Sequence, residues 1–228
     1  MPKNKAILYY FALTLYGFSA NAAAQSCGGA PSGDVDGIWE CIEYQDGTSN
    51  PYNAGPEGVW FGPAGTNSYT DTFNLETDLT LNYSFLTAQC PVTFETHFKR
   101  NSNNSLSIRV VNAYVYGTGM CNSISLSNFP WYASDTTSFS STSSVDGAGN
   151  PGDIHPQGTG FTNFNLGNLE VGLFGSVVCT GYIEDVKFYN GNPASTPSSF
   201  LIDNNIVGTA CGVSSTLKTI AHQDINVW

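Results

Sequence analysis

The stretch "TDLTLNYSFLT", residues 77–87, alternates polar and apolar side chains along its length. Successive side chains of a β-strand point to opposite faces, so this spacing puts Leu79, Leu81, Tyr83 and Phe85 on one face. The same period continues in "VTFETHF" (92–98), which groups Val92, Phe94, Thr96 and Phe98. "LSIRVVNAYVYG" carries Leu106, Ile108 and Val110, then slips register near Asn112 before Tyr114 and Tyr116. "NSISLSNF" supplies Ile124 and Leu126, and "EVGLFGSVVCTGYIEDVKFY" supplies Val171 and Leu173, then Ile183, Val186 and Phe188. Turn-forming runs separate these segments: "RNSNNS", "GTG", "DGAGNPGD", "NGNPASTP" and "DNN". With no helical period past residue 24, the reading is an all-β fold. It is an antiparallel β-sandwich or barrel-like domain with disulfides and an irregular N-terminal segment.

Residues 1–24 read as a secretory signal peptide. Lys3 and Lys5 precede the apolar run "AILYYFALTLYGFSA", and Ala22 and Ala24 mark a cut after Ala24. That run is short of the roughly 20 residues a membrane-spanning helix needs, and no later run is long enough. The expected location is therefore extracellular or at the cell surface, with no membrane span. Two of the seven basic residues leave with the peptide while all eighteen acidic ones stay, which gives the mature chain a formal charge of −13. Such a chain repels phosphate backbones, which excludes nucleic acid as a partner. Residues 25–76 form a Gly/Pro-rich, disulfide-tied N-terminal region. Residues 77–228 form a β domain of two similar Cys-bounded units, about 79–133 and 169–220, joined by the loop-rich stretch 134–168.

All six cysteines lie after the cut: Cys27, Cys41, Cys90, Cys121, Cys179 and Cys211. An even count in an exported chain reads as disulfides. Six cysteines allow fifteen connectivities, and an internal resemblance selects among them. Cys90 opens "CPVTFETHFKRN", and Cys121 follows "RVVNAYVYGTGM"; Cys179 opens "CTGYIEDVKFYNG", and Cys211 follows "FLIDNNIVGTA". Each block runs cysteine, strand, polar turn, strand, small residues, cysteine. The expected bridges are Cys90–Cys121 and Cys179–Cys211, one per block, with Cys27–Cys41 stapling the N-terminal region. Close cysteine pairs of the zinc type do not occur, and His97, His155 and His222 are scattered, so no metal site is expected.

The candidates for chemistry are few. Asp34 and Asp36, and Asp146, Asn150 and Asp153, are oxygen ligands in type, but they sit beside glycine as ordinary turn formers do. Glu184 and Asp185 are adjacent on a strand and should face opposite ways, so they do not flank one bond. No nucleophile–base–orienter set can be assembled, so neither an enzyme nor a cofactor is expected. The aromatics are more suggestive. Trp60, Phe61 and Tyr132 are candidates for an aromatic binding surface for a glycan or an apolar ligand. In "CNSISLSNFPWY" (121–132), Pro130 should end a strand. Trp131 should then be buried over one end of the core, with Tyr132 the more exposed.

From about Leu79 to Leu217 the chain resembles the secreted alkane oxidation activator (PraB-type) family. The matching segments are "CPVTF" (90–94), "MCNSISLSNFPW" (120–131), "GSVVCTGYIEDVKFYNG" (175–191) and "GTACGVSSTL" (208–217). The resemblance implies a small, exported, Cys-paired β protein without an assigned active site. Its implied role is extracellular and accessory, at apolar substrates or in the surface matrix. The block carrying Cys27 and Cys41 and the loop "WYASDTTSFSSTSSVDGAGNPGD" extend beyond that pattern. The expected function is thus a non-enzymatic structural, surface-matrix or apolar-interface role, with self-assembly of copies by strand addition. The alternative is a carbohydrate-binding or adhesin-like module. Strand addition would draw on residues 25–45.

Overall fold

A computed structural model describes residues 41–48, 52–102, 105–137, 139, 153–155, 161–190 and 197–227. Two short strands come first, β1 (Ile42–Tyr44) and β2 (Asn53–Ala54). Three long ones follow: β3 (Phe73–Tyr83), β4 (Leu86–Arg100) and β5 (Leu106–Val115). A single 3₁₀ turn (Gly119–Ser123) leads into β6 (Ile124–Ser127) and β7 (Trp131–Ser134). The chain then forms β8 (Thr162–Leu173), β9 (Ser176–Tyr189), β10 (Ser199–Asn205), β11 (Cys211–Thr219) and β12 (Ile225–Val227).

Each long strand pairs antiparallel with its neighbours in sequence, and β11 returns to pair with β3. β6 and β7 both lie along β8, Ser127 opposite Glu170 and Tyr132 opposite Gly167, and act as one interrupted strand. The result is a closed, up-and-down barrel of eight antiparallel strands. Closure gives every strand of the barrel a neighbour on both sides.

Strand periodicity decides what faces inward. On β3, Leu75, Leu79 and Leu81 are buried, while Glu76 and Asn82 are exposed. On β11, Cys211, Val213, Ser215, Leu217 and Thr219 alternate inward. Apolar side chains fill the interior and polar ones face out, the reverse of a membrane-spanning barrel. Eight strands enclose a space that side chains just fill. A void of about 20 Å³ remains among the described residues, lined by side chains including Leu79, Phe94, Trp131, Ile183 and Ile202. That is room for about one water and far below the roughly 150 Å³ that binds a small aromatic. Among the described residues, no helix is long and apolar enough to cross a membrane.

The register slip expected near Asn112 is a bulge in β5. Glu95 pairs with Asn112 and Thr96 with Val110, which leaves Val111 unpaired. A second irregularity departs from expectation. Asp185 adopts φ 54°, so Glu184 and Asp185 both face solvent instead of opposite sides. Pro130 interrupts a strand rather than ending it. Trp131 is 1% exposed and lies within the barrel interior, not over one end.

The two ends of the barrel differ. At one end, which we call the bridge end, Cys90–Cys121 and Cys179–Cys211 are both formed, with Cα–Cα distances of 5.6 and 6.3 Å. Each ties a strand to the segment that follows the intervening strand. The Cys27–Cys41 pairing involves Cys27, which lies outside the described residues, as do the signal peptide, Asp34, Asp36, Asp146 and Asn150. The opposite end is plugged. Tyr44, Phe61, Phe73 and Phe98 pack with ring centroids 5.1–5.8 Å apart. β1 lies between β12 and β2 in a separate three-stranded sheet at this end. Ile42–Tyr44 are therefore paired within the chain on both sides, so this part of residues 25–45 is not free for strand addition.

Candidate functional site

Four connections cross the bridge end: residues 84–85, 116–123, 174–175 and 206–210. Each carries an exposed large apolar side chain: Phe85 (90% exposed), Tyr116 (50%), Phe174 (68%) and Val207 (37%). Val177 and Tyr114 add to the same end. Of the eight exposed large hydrophobics among the described residues, only Val59 and Tyr69 lie elsewhere. The four connections contain no Asp, Glu, Lys, Arg or His. In a chain with eighteen acidic residues these four uncharged connections stand out. The strand order places the β3–β4 and β8–β9 hairpins on opposite sides of the ring.

Local structure does not explain these aromatics. Leu173 pairs with Ser176, so Phe174 and Gly175 form a two-residue hairpin turn. Both have positive φ, 51° and 80°. Such turns favour Asn, Asp and Gly, because a bulky L-residue in the left-handed region is strained. Tyr83 pairs with Leu86, so Ser84 and Phe85 form the matching turn, with Ser84 at φ 55°. Alternation puts Phe85 on the same face as Leu79 and Leu81; the hairpin reverses the chain just there and leaves the ring in solvent. Phe85 and Phe174 were not singled out as site residues from sequence. Two aromatic-tipped turns at equivalent places in similar blocks were the available signal.

The sequence-derived aromatic surface is not formed as expected. Trp60 and Phe61 are buried and present no open ring face. Phe61 is in the aromatic plug, and only Tyr132 of the three is partly exposed. The reason lies in β4, which outruns β3 beyond Thr96. Residues 57–61 take the vacated edge. Gly58 N donates to Arg100 O at 2.8 Å, and Phe61 N to Phe98 O at 3.0 Å. Residues 57–71 thus form a strap across β4 and β5. Gly62 is needed there, since a Cβ would fall 1.7 Å from Asp71 O.

Under the strap sits a group of basic residues. The Arg109 guanidinium lies 4.5 Å from the Trp60 ring centre and 5.1 Å from that of Tyr69. Lys99 Nζ lies 5.1 Å from the Trp60 ring. Arg109 Nη2 donates to Asn67 Oδ1 at 2.7 Å, and Arg109 Nε to His97 Nδ1 at 3.1 Å. His97 Nε2 faces two strap carbonyls, Ser68 O at 3.1 Å and Asp71 O at 2.9 Å, so Nε2 carries the proton. Burial, with Arg109 beside it, holds the His97 pKa below its ordinary 6.5. This network clamps the strap to the barrel.

The sign of its pH dependence follows from that depressed pKa. The unfolded chain binds a proton at His97 more readily than the folded one, so stability rises with pH. The contribution is complete above pH 6.5 and is lost as pH falls from there through the folded-state pKa. One proton limits the slope to about 1.4 kcal/mol per pH unit. Denaturant melts between pH 7 and 5 should show this loss, and His97→Gln should flatten it. An equal slope in the variant would place the acid sensitivity elsewhere.

The other polar candidates stand apart. His155 is exposed and pairs with Asp135 at 2.8 Å. Asp153 is buried and accepts from the Ser107 hydroxyl. His222 is an exposed turn residue at φ 64°. Among the described residues, no three His, Cys, Asp or Glu side chains are placed to hold a metal ion. Comparison with protein-family models, curated proteins and solved structures gives no match to this chain.

Proposed function

We propose that this is an exported, non-enzymatic protein that attaches end-on to an apolar surface outside the cell, such as a hydrocarbon droplet, through its bridge-end rim. The observation that carries the reading is Phe174. It occupies a left-handed turn position that disfavours it, and its ring is in solvent. Strain that neither packing nor turn chemistry explains is expected at functional positions. Three further features support it. The other three connections of the same end are also tipped with apolar side chains, all four connections lack charge, and the disulfides hold the hairpins in place. The apolar-interface role implied by the family resemblance points the same way.

Burying an exposed phenylalanine is worth roughly 1.5–3 kcal/mol. Phe85 and Phe174 together should therefore contribute on the order of 3 kcal/mol or more, roughly a hundredfold in partition. The test compares binding of the native protein and of Phe85→Asn/Phe174→Asn to hydrocarbon droplets. Asparagine suits both turns, so the double variant should fold. Phe174→Asn alone should raise stability by about 1 kcal/mol through relief of the left-handed strain. Retained stability with about a hundredfold weaker adsorption is the expected result. Unchanged adsorption by the folded double variant would sink the reading.

A further inference from the structure

On the outer wall near the same end, β3, β11 and β10 line an open, polar hollow of about 260 Å³. Its plan can be read from the strand register. Gly212 on the central strand lies between Asn82 on β3 and Asn205 on β10. Two residues along, Ser214 lies beside Asp203. All five side-chain positions belong to the outward face. Gly212 forms the floor: a Cβ there would stand 3.0 Å from Asn205 Oδ1 and 3.5 Å from Asn82 Cβ. Thr87 Oγ1 donates to Asn82 Oδ1 at 2.7 Å, which fixes that carboxamide and leaves its NH₂ as the available donor.

We infer that this hollow binds a neutral saccharide unit. Carboxamides and a hydroxyl donate and accept, a carboxylate accepts, and adjacent sugar hydroxyls require both donors and acceptors. Asp203 is the one ionisable group lining the hollow and no cation lines it, so phosphate, sulfate and uronate ligands are repelled. Its lining is mainly polar, which argues against a hydrocarbon ligand. The site adjoins the aromatic rim, since Asn82 and Thr87 flank the Ser84–Phe85 turn, but it uses none of the rim's apolar side chains. It is separate from the Trp60, Phe61 and Tyr132 surface suggested by the sequence, which is largely buried.

Saturation-transfer NMR with glucose, galactose, mannose and glucuronate tests this on the intact disulfide-bonded protein. At least one neutral hexose should bind in the millimolar range, and glucuronate more weakly. Asn82→Ala/Asn205→Ala, which alters only outward-facing side chains, should weaken binding by about tenfold through loss of two hydrogen-bonding groups. Phe85→Asn/Phe174→Asn should bind the sugar as the native protein does, even though it loses adsorption to droplets. The inference is overturned by no transfer to any neutral hexose, by equal binding in Asn82→Ala/Asn205→Ala, or by glucuronate binding as tightly as glucose. Such a result would show an ordinary hydrated strand surface and leave the rim untouched.

Discussion

Replacing Trp131 by alanine will destabilise the protein by about 3–5 kcal/mol, the range for removing a large aromatic from a packed core. Its ring stacks on Phe129 at 4.6 Å and meets Phe94 edge-on at 5.7 Å. Its indole N–H donates to Ser127 O at 2.8 Å, bridging the interruption between β6 and β7. The substitution therefore leaves a hole beside the existing void and unpairs a carbonyl where the wall is already broken. Relaxation is restricted because the barrel is closed. Replacing Tyr132, which is partly exposed, should cost far less. Urea melts of both variants at neutral pH make the comparison. A Trp131→Ala protein with an unchanged midpoint would contradict the placement of this ring.

Removing the Cys179–Cys211 bridge should have a comparable effect. Closing a loop of 32 residues constrains the unfolded chain by roughly 3–4 kcal/mol. The folded state adds a local reason. β10 forms a ladder with β9 only over Ser199–Leu201; beyond that the backbone contact is the isolated bridge Ile183–Ile206, joined by Asn204 Nδ2 donating to Glu184 O at 3.4 Å. The disulfide links β9 to β11 across this weakly paired wall. By contrast, β4 and β5 stay paired from Val92 to Arg100 beside Cys90–Cys121. Cys179→Ala/Cys211→Ala should thus cost more than Cys90→Ala/Cys121→Ala, since alanine avoids burying a hydroxyl in either case. Equal losses would show that loop entropy alone sets the effect, since the two loops are nearly the same length, and reversed losses would show that the β9–β10 wall does not rely on its bridge.

Much of the barrel was legible because alternation is a local property. Leu79, Leu81, Val92, Phe94 and Phe98 were assigned inward from spacing, and all are buried. The β5 bulge was visible as a broken period. The choice between sandwich and barrel was not legible, because it rests on the pairing of β11 with β3 across the length of the sheet. Phe85 was misplaced because alternation carries smoothly into a two-residue turn, and only the pairing of Tyr83 with Leu86 reveals the reversal. Glu184 and Asp185 were misread for a related reason, since a positive φ at Asp185 breaks the parity. Trp131 was read correctly as buried but placed at an end, because interior height depends on how the strands close.

The strap and its clamp were missed entirely. Residues 57–71 have no period, and His97, Lys99 and Arg109 look like the solvated face of two strands. They are buried only because a loop from elsewhere in the chain covers them. The available signal was scarcity. The chain after residue 24 has five Lys and Arg residues, and Lys99, Arg100 and Arg109 lie close together on β4 and β5. A buried guanidinium needs a partner, and the rings of "GVWFG" at 58–62 and Tyr69 were candidates.

If the rim formed by residues 84–85, 116–123, 174–175 and 206–210 is the surface that meets an apolar phase, adsorption should protect that rim alone. Hydrogen exchange of the protein free and adsorbed on hydrocarbon droplets measures this directly. Slowed exchange on adsorption should be confined to those connections, with the strap and the outer wall unchanged. Protection centred on the strap, on β1 and β12, or spread evenly over the barrel wall would contradict it.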